Sequence, residues 1–195
     1  MSGNLKGKLF VPPFARVLGS VVTPFDHNQA MAQIERALAI VQGLALTAIY
    51  GEMTISANAV ATSLPTQNAW VPVTAGWGMG DDFSGMKGDT VAGSLTSYAD
   101  GTYPFATIVS LSVKAGTGGA TYQFGIFKNG VLLPEHSAEL TIGAGEETSI
   151  SMTGIDHASK LDAFTVQARC TTTAATSVTV VQANMSMWSI AGPGT

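Results

Sequence analysis

Apolar residues return at every second position over much of this chain, most clearly at Tyr122, Phe124 and Ile126, which lead into the dipeptide Asn129-Gly130. Period two is the mark of a strand with one buried face, and Asn-Gly supplies the two positive φ angles of a type I′ turn. Residues 122–133 therefore form a hairpin. Phe105, Thr107, Val109, Leu111 and Val113 repeat the period before it, and Phe164, Val166, Ala168 and Cys170 repeat it afterwards. The pattern predicts strands over 53–60, 69–74, 91–97, 103–114, 120–128, 131–134, 137–142, 147–153, 161–171 and 177–190. That spacing suits an all-β antiparallel two-sheet sandwich, of which the jelly roll is the usual version.

The last strand breaks the alternation. Val180, Trp188 and Ile190 fall on one side, whereas Val181, Ala183, Met185 and Met187 fall on the other. A strand apolar on both faces needs cover on both, either from its own fold or from a neighbouring subunit. Val181, Met185 and Met187 are accordingly expected at an interface between subunits.

Residues 1–24 hold neither period. Pro12, Pro13 and Pro24 remove backbone donors and Gly3, Gly7 and Gly19 loosen the chain, so an extended arm is predicted. Leu9, Phe10, Phe14, Val17 and Val22 make it too apolar for a solvated linker, and these five are the expected contacts with a partner. Asp26 with Gln29 forms a capping-box pattern ahead of Met31, Ile34, Leu38 and Val41, whose spacings of three and four predict one short α-helix ending at Gly43. Met31, Ile34 and Leu38 either bundle with copies of themselves about a symmetry axis or pack on the β domain. The expected division is an anchoring arm and helix over 1–50 and a β domain over 51–195.

Composition sharpens the case for association. Charged residues are 11% of the chain, against roughly 25% in typical soluble proteins. So little charge leaves a lone surface poorly solvated and points to burial against other chains. The net charge of −4 divides into +2 over the first fifty residues, from Lys6, Lys8, Arg16 and Arg36 against Asp26 and Glu35, and −6 over the remainder. That balance gives no basic footprint for nucleic acid. The longest apolar stretch, 37–50, is interrupted by Gln42, Gly43 and Thr47 and is too short to span a bilayer, so no membrane partner is expected. No signal peptide is visible, and synthesis in the cytoplasm is expected. Cys170, the one cysteine, allows no intrachain disulfide and is expected as an inert core thiol.

Candidate chemistry is sparse. The chain has no G-x-S-x-G elbow, no P-loop, no H-E-x-x-H and no cysteine pair. His27, His136 and His157 fall in expected caps or loops. Within Glu135-His136 and Asp156-His157, neighbours on a strand would face opposite ways. No catalytic residue, cofactor or metal is predicted. Asp81, Asp82 and Asp89 in the Gly-rich stretch 78–89 offer oxygens for calcium, but their spacing matches no known loop, and a solvated acidic loop is expected. Trp70, Trp77, Phe83 and Tyr98 are the aromatic candidates for a sugar platform. Trp77 is the one expected to be exposed, while Trp70 serves equally well as core.

Gly101-Thr-Tyr103 entering a long alternating strand, Asn129-Gly130 in a strand pair, Leu161-Asp-Ala-Phe-Thr-Val166 opening a late strand and Ala183-Asn-Met-Ser-Met-Trp-Ser-Ile190 at the close resemble the C1q/TNF-like jelly roll in order and spacing. The likeness covers about residues 51–191. The chain departs from the pattern at Leu161-Asp162, where the family's usual Gly-Asp pair is missing. The resemblance implies a tight homotrimer, while the lack of any catalytic constellation in the sequence leads to the expectation of no enzymatic activity. Residues 50–60, the abundance of Thr, Ala and Gly and the apolar arm also look like structural proteins of tailed-bacteriophage virions. What this implies is a capsid decoration or cement protein on the head surface, held to the major capsid protein or another virion protein by its arm. The alternative is a tail, baseplate or head-fibre component whose jelly roll binds a host glycan.

Overall fold

The computed structural model describes residues 49–116, 118–174 and 176–191, and among them the period-two pattern becomes twelve strands. In chain order these are β1 (Tyr50–Ile55), β2 (Thr62–Leu64), β3 (Val71–Pro72), β4 (Trp77–Ser84), β5 (Met86–Asp89) and β6 (Ser94–Ser97), then β7 (Tyr103–Ala115), β8 (Ala120–Lys128), β9 (Val131–Ile142), β10 (Glu147–Ala158), β11 (Ala163–Cys170) and β12 (Thr176–Ser189). They build two antiparallel sheets, ordered β10-β7-β12-β1-β4 and β5-β6-β11-β8-β9, with β2 paired to β12 and β3 to β11. This is the expected jelly-roll sandwich. The arm residues Leu9, Phe10, Phe14, Val17 and Val22 and the helix residues Met31, Ile34 and Leu38 lie outside the described residues.

The core between the sheets is made by the inward halves of these strands. Phe105, Val109 and Val113 from β7 face Tyr122, Phe124 and Ile126 from β8, with Phe164, Val166 and Cys170 from β11, and all are buried. Non-adjacent positions on one strand reach the same layer because side chains alternate across a pleat. The β8–β9 hairpin closes at Asn129 and Gly130, with φ of 51° and 79°, so both central residues take the left-handed conformation that a type I′ turn requires.

Three expectations change. Residues 78–89 are not a loop, because they form β4 and β5. Gly80 lies so near Glu52 of β1 that a Cβ there would stand 2.8 Å from the Glu52 Cβ and carbonyl oxygen, so the glycine permits close pairing rather than looseness. The expected break between 131–134 and 137–142 is instead an irregularity within β9. Phe127 pairs with Leu132 and Gly125 with Ser137, leaving residues 133–136 opposite Ile126 alone. Because β9 is the sheet edge, Pro134 costs no interior ladder bond.

The third correction concerns β12. Val180 pairs with Val113 and Gln182 with Ser112, so Val181 is one residue in excess and the side-chain phase reverses there. Val178 and Val180 before the bulge, and Ala183, Met185 and Met187 after it, all face the same core. Asn58 takes up the carbonyls at the bulge, its backbone N–H donating to Val181 O at 3.0 Å and its side-chain Nδ2 to Val180 O at 3.0 Å. Met185 and Met187 are 0% and 1% exposed and belong to the protomer's own interior, not to a surface for a neighbour. Val181 alone of the three stays on the outer side, half-buried.

The first and last strands meet at one end of the sandwich, where the Ser189 amide donates to Ile49 O at 2.7 Å. The turns around Gly85, 98–102, 129–130 and 159–162 share that end. They are tied by Ser97 N–H to Asp162 O at 2.9 Å, by Asn129 Nδ2 to Asp162 Oδ1 at 2.7 Å and by Ala163 N–H to Asn129 Oδ1 at 2.9 Å.

Candidate assembly surface

Antiparallel register places outward side chains of the β10-β7-β12-β1 part of the sheet in transverse rows, and the rows change character along the strands. The row nearest Ile49 is Tyr50, Trp188, Ala106 and Ile155, one residue from each of four neighbouring strands. Tyr50 is 39%, Trp188 38% and Ile155 62% exposed. Next come Glu52, Ser186, Ile108 and Thr153, with Ile108 39% exposed. The third row is Thr54, Asn184, Ser110 and Ser151, and the fourth Gln182, Ser112 and Ser149. Lys114 lies between Thr179 and Glu147 beyond them.

The face thus runs from apolar at the Ile49 end to hydroxyl and amide in the middle. There the surface forms a groove of about 530 Å³ lined by Thr54, Ser110, Ser112, Ser151, Gln182 and Asn184 among others. Its polar groups partly satisfy one another. Ser110 and Ser151 Oγ are 3.3 Å apart, Ser112 Oγ donates to Glu147 Oε1 at 2.5 Å, Ser186 Oγ donates to Asn184 Oδ1 at 2.7 Å, and Asn184 Nδ2 donates to Glu52 Oε1. Covering such groups without new partners costs about 1–3 kcal/mol each. Covering apolar area gains roughly 25 cal/mol per Å².

No three His, Cys, Asp or Glu side chains converge as metal ligands among the described residues. Asp89 is engaged at its own turn, where its Oδ1 accepts from the Val91 and Ala92 amides at 2.9 Å each, and those two bonds hold its carboxyl below the usual range. His136 is not in a loop. It lies in the irregular part of β9, 3% exposed, with its ring over Gly154 of β10, where a Cβ would come within 1.9 Å of Nε2. His157 is the outward residue at the end of β10. Beside it, burial works to raise the Asp156 carboxyl. The hydrogen bond from Lys128, the His157 amide and the charges of Lys128 and His136 outweigh that effect, so the carboxyl sits below its ordinary value. Lys128 Nζ is 2.9 Å from Asp156 Oδ2 and donates to His157 O at 2.8 Å. These bonds close the end of an edge strand.

The four aromatic candidates do not assemble. Trp77 is 5% exposed and donates Nε1 to Val73 O at 2.7 Å, which corrects its expected exposure. Trp70 packs edge-to-face on Phe127 with centroids 5.1 Å apart, under the Arg169 guanidinium at 4.6 Å. Phe83 ends up in β4 against the core, and Tyr98 stands exposed beyond β6. The apolar row was invisible in the sequence as a site, because Tyr50, Ala106, Ile155 and Trp188 meet only through strand register.

No family model matches the sequence, and no curated protein does. Among solved structures, the chain is similar to Eiger TNF from S. frugiperda at 9% identity and a TM-score of 0.51, over 75% of this chain and 96% of that one. Murine APRIL at pH 5.0 matches at 14% identity and a TM-score of 0.47, over 72% and 99%. The PRD1 vertex protein P5 matches at 12% identity and a TM-score of 0.44, over 74% of each chain. At such identities the likeness is one of fold, and the fold is the TNF-like jelly roll.

Proposed function

We propose that this chain is a non-enzymatic structural protein of a phage virion. It works as a homotrimer closed through the outward face of the β10-β7-β12-β1-β4 sheet. Residues 1–50 seat it on the head surface, with Leu9, Phe10, Phe14, Val17 and Val22 against the major capsid protein or another virion protein. Its action is mechanical: weak arm contacts, linked in threes, act together at high effective concentration.

The observation that carries this reading is the row of Tyr50, Trp188, Ala106 and Ile155, which sets apolar side chains from four adjacent strands toward solvent in a chain with 11% charged residues. Three is the copy number that the jelly-roll resemblance implies. A host-glycan site on a tail or fibre has less support, since the aromatic candidates are dispersed.

Sedimentation of the full chain at tens of micromolar tests the reading. The expected mass is three times the 20.1 kDa of one chain. Trp188→Glu should yield folded monomers, because it places a charge in the contact. Removing residues 1–24 should preserve the trimer and abolish binding to purified heads. A wild-type chain that sediments as a single copy would sink the proposal.

A further inference from the structure

We infer that Met79 is a site of reversible oxidation by peroxide, and that its sulfoxide loosens the corner where β4 and β5 join the two sheets. The inference does not depend on the trimeric reading above. Among the described methionines, Met53, Met86, Met152, Met185 and Met187 are at most 6% exposed, whereas Met79 is 49% exposed. Its exposure does not come from pointing outward. Met79 pairs with the buried Met53 and stands two residues after the buried Trp77, so it lies on the inner side of its sheet. It reaches water because β4 is the last strand of that sheet. Copies meeting through the outward face would leave it in reach of a small oxidant.

The sulfur closes a seam. A Cβ added to the buried Gly88 of β5 would stand 2.6 Å from Met79 Sδ and 3.3 Å from Met53 Sδ, so both thioethers rest over this one glycine. β4 and β5 are edge strands of opposite sheets, joined through Gly85, and Met79 packs from one edge onto the other. In the reaction the sulfur lone pair takes one oxygen from hydrogen peroxide. The S–O bond forms as the O–O bond breaks, and the proton of the transferred oxygen departs with the hydroxide as water. Sulfur loses two electrons and peroxide gains two, and a methionine sulfoxide reductase reverses the change. The floor of Gly88 and Met53 is apolar, so the new S=O group turns to water and draws the side chain off the glycine.

Peroxide treatment of the full chain, followed by peptide mass spectrometry and hydrogen exchange, tests this. Met79 should gain oxygen at least tenfold faster than Met53, Met86, Met152, Met185 or Met187. When Met79 alone among them is oxidised, amides of residues 77–89 should exchange at least threefold faster, and the melting temperature should fall by several degrees. Treatment with methionine sulfoxide reductase should restore both. Met79→Leu keeps an apolar side chain of similar size and should show neither change under the same treatment, which separates position 79 from Met1 and Met31. Comparable oxidation rates at Met79 and at the buried methionines would overturn the site. Selective oxidation of Met79 that leaves exchange and melting unaltered, or equal changes in Met79→Leu, would overturn its hold on the corner.

Discussion

Leu161 holds φ at 71° and is 62% exposed, in the turn where Asp162 N–H donates to Ser159 O and the Asp162 carboxylate accepts from Ser159 N–H at 2.9 Å. The left-handed conformation crowds any Cβ, so a glycine belongs here, and the Gly-Asp pair absent from the sequence would have supplied one. The backbone keeps the turn while the side chain departs from it. Leu161→Gly is therefore expected to stabilise the fold by about 0.5–1 kcal/mol, read as a higher urea midpoint at unchanged slope. Asp156 gives a pH signature. Its carboxyl is held below its unfolded value, so its contribution to stability is complete above about pH 4, near the ordinary carboxylate pKa, and fades as pH falls through the lower, folded value. Asp156→Asn should be less stable than wild type at neutral pH, and the gap should narrow on acidification below that point. A gap that stayed constant down to pH 2 would mean that Lys128 gains nothing from the charge.

At the scale of elements, legibility followed local signals. The β8–β9 hairpin was readable because a period and a turn dipeptide agree, and β7 because thirteen residues alternate without interruption. β4 was not, since Gly78, Gly80, Asp81 and Asp82 resemble a loop and the strand shows itself only where Trp77, Gly78, Met79, Phe83 and Ser84 pair with β1. β12 misled for a subtler reason: one bulged residue converts an inward phase into an apparently two-faced strand, and no single-sequence period reveals which residue is extra. Met185 and Val181 therefore separate two explanations. Met185→Ala should cost about 2–5 kcal/mol of protomer stability in thermal or denaturant unfolding, as expected for a cavity in a packed core. Val181→Ser, on the outer side of the bulge, should change it by less than about 1 kcal/mol. Equal losses would contradict the reversed phase. The assembly surface was less legible than the core, because its members are 50, 106, 155 and 188, distant in sequence and joined by three register choices.

For the whole molecule, low charge was the most informative property of the sequence, and the sheet face gives it a location. The apolar rows gather at one end of one face, whereas the charged Lys114 and Glu147 mark the other. Ile49 and Ser189 are joined by a backbone hydrogen bond, so the described chain enters and leaves the sandwich at the same pole. The far pole, with turns such as 90–93 and 171–174, carries neither lead-in nor exit and faces away from the row of Tyr50. Foreign sequence spliced after Thr173 should consequently be displayed outward, leaving the melting temperature within a few degrees and the sedimentation of the parent unchanged. On the proposed trimer contact, the same graft placed after Ile190 would crowd the pole where copies meet. One short hydrogen bond thus divides the protein into an end that can be decorated and an end that cannot.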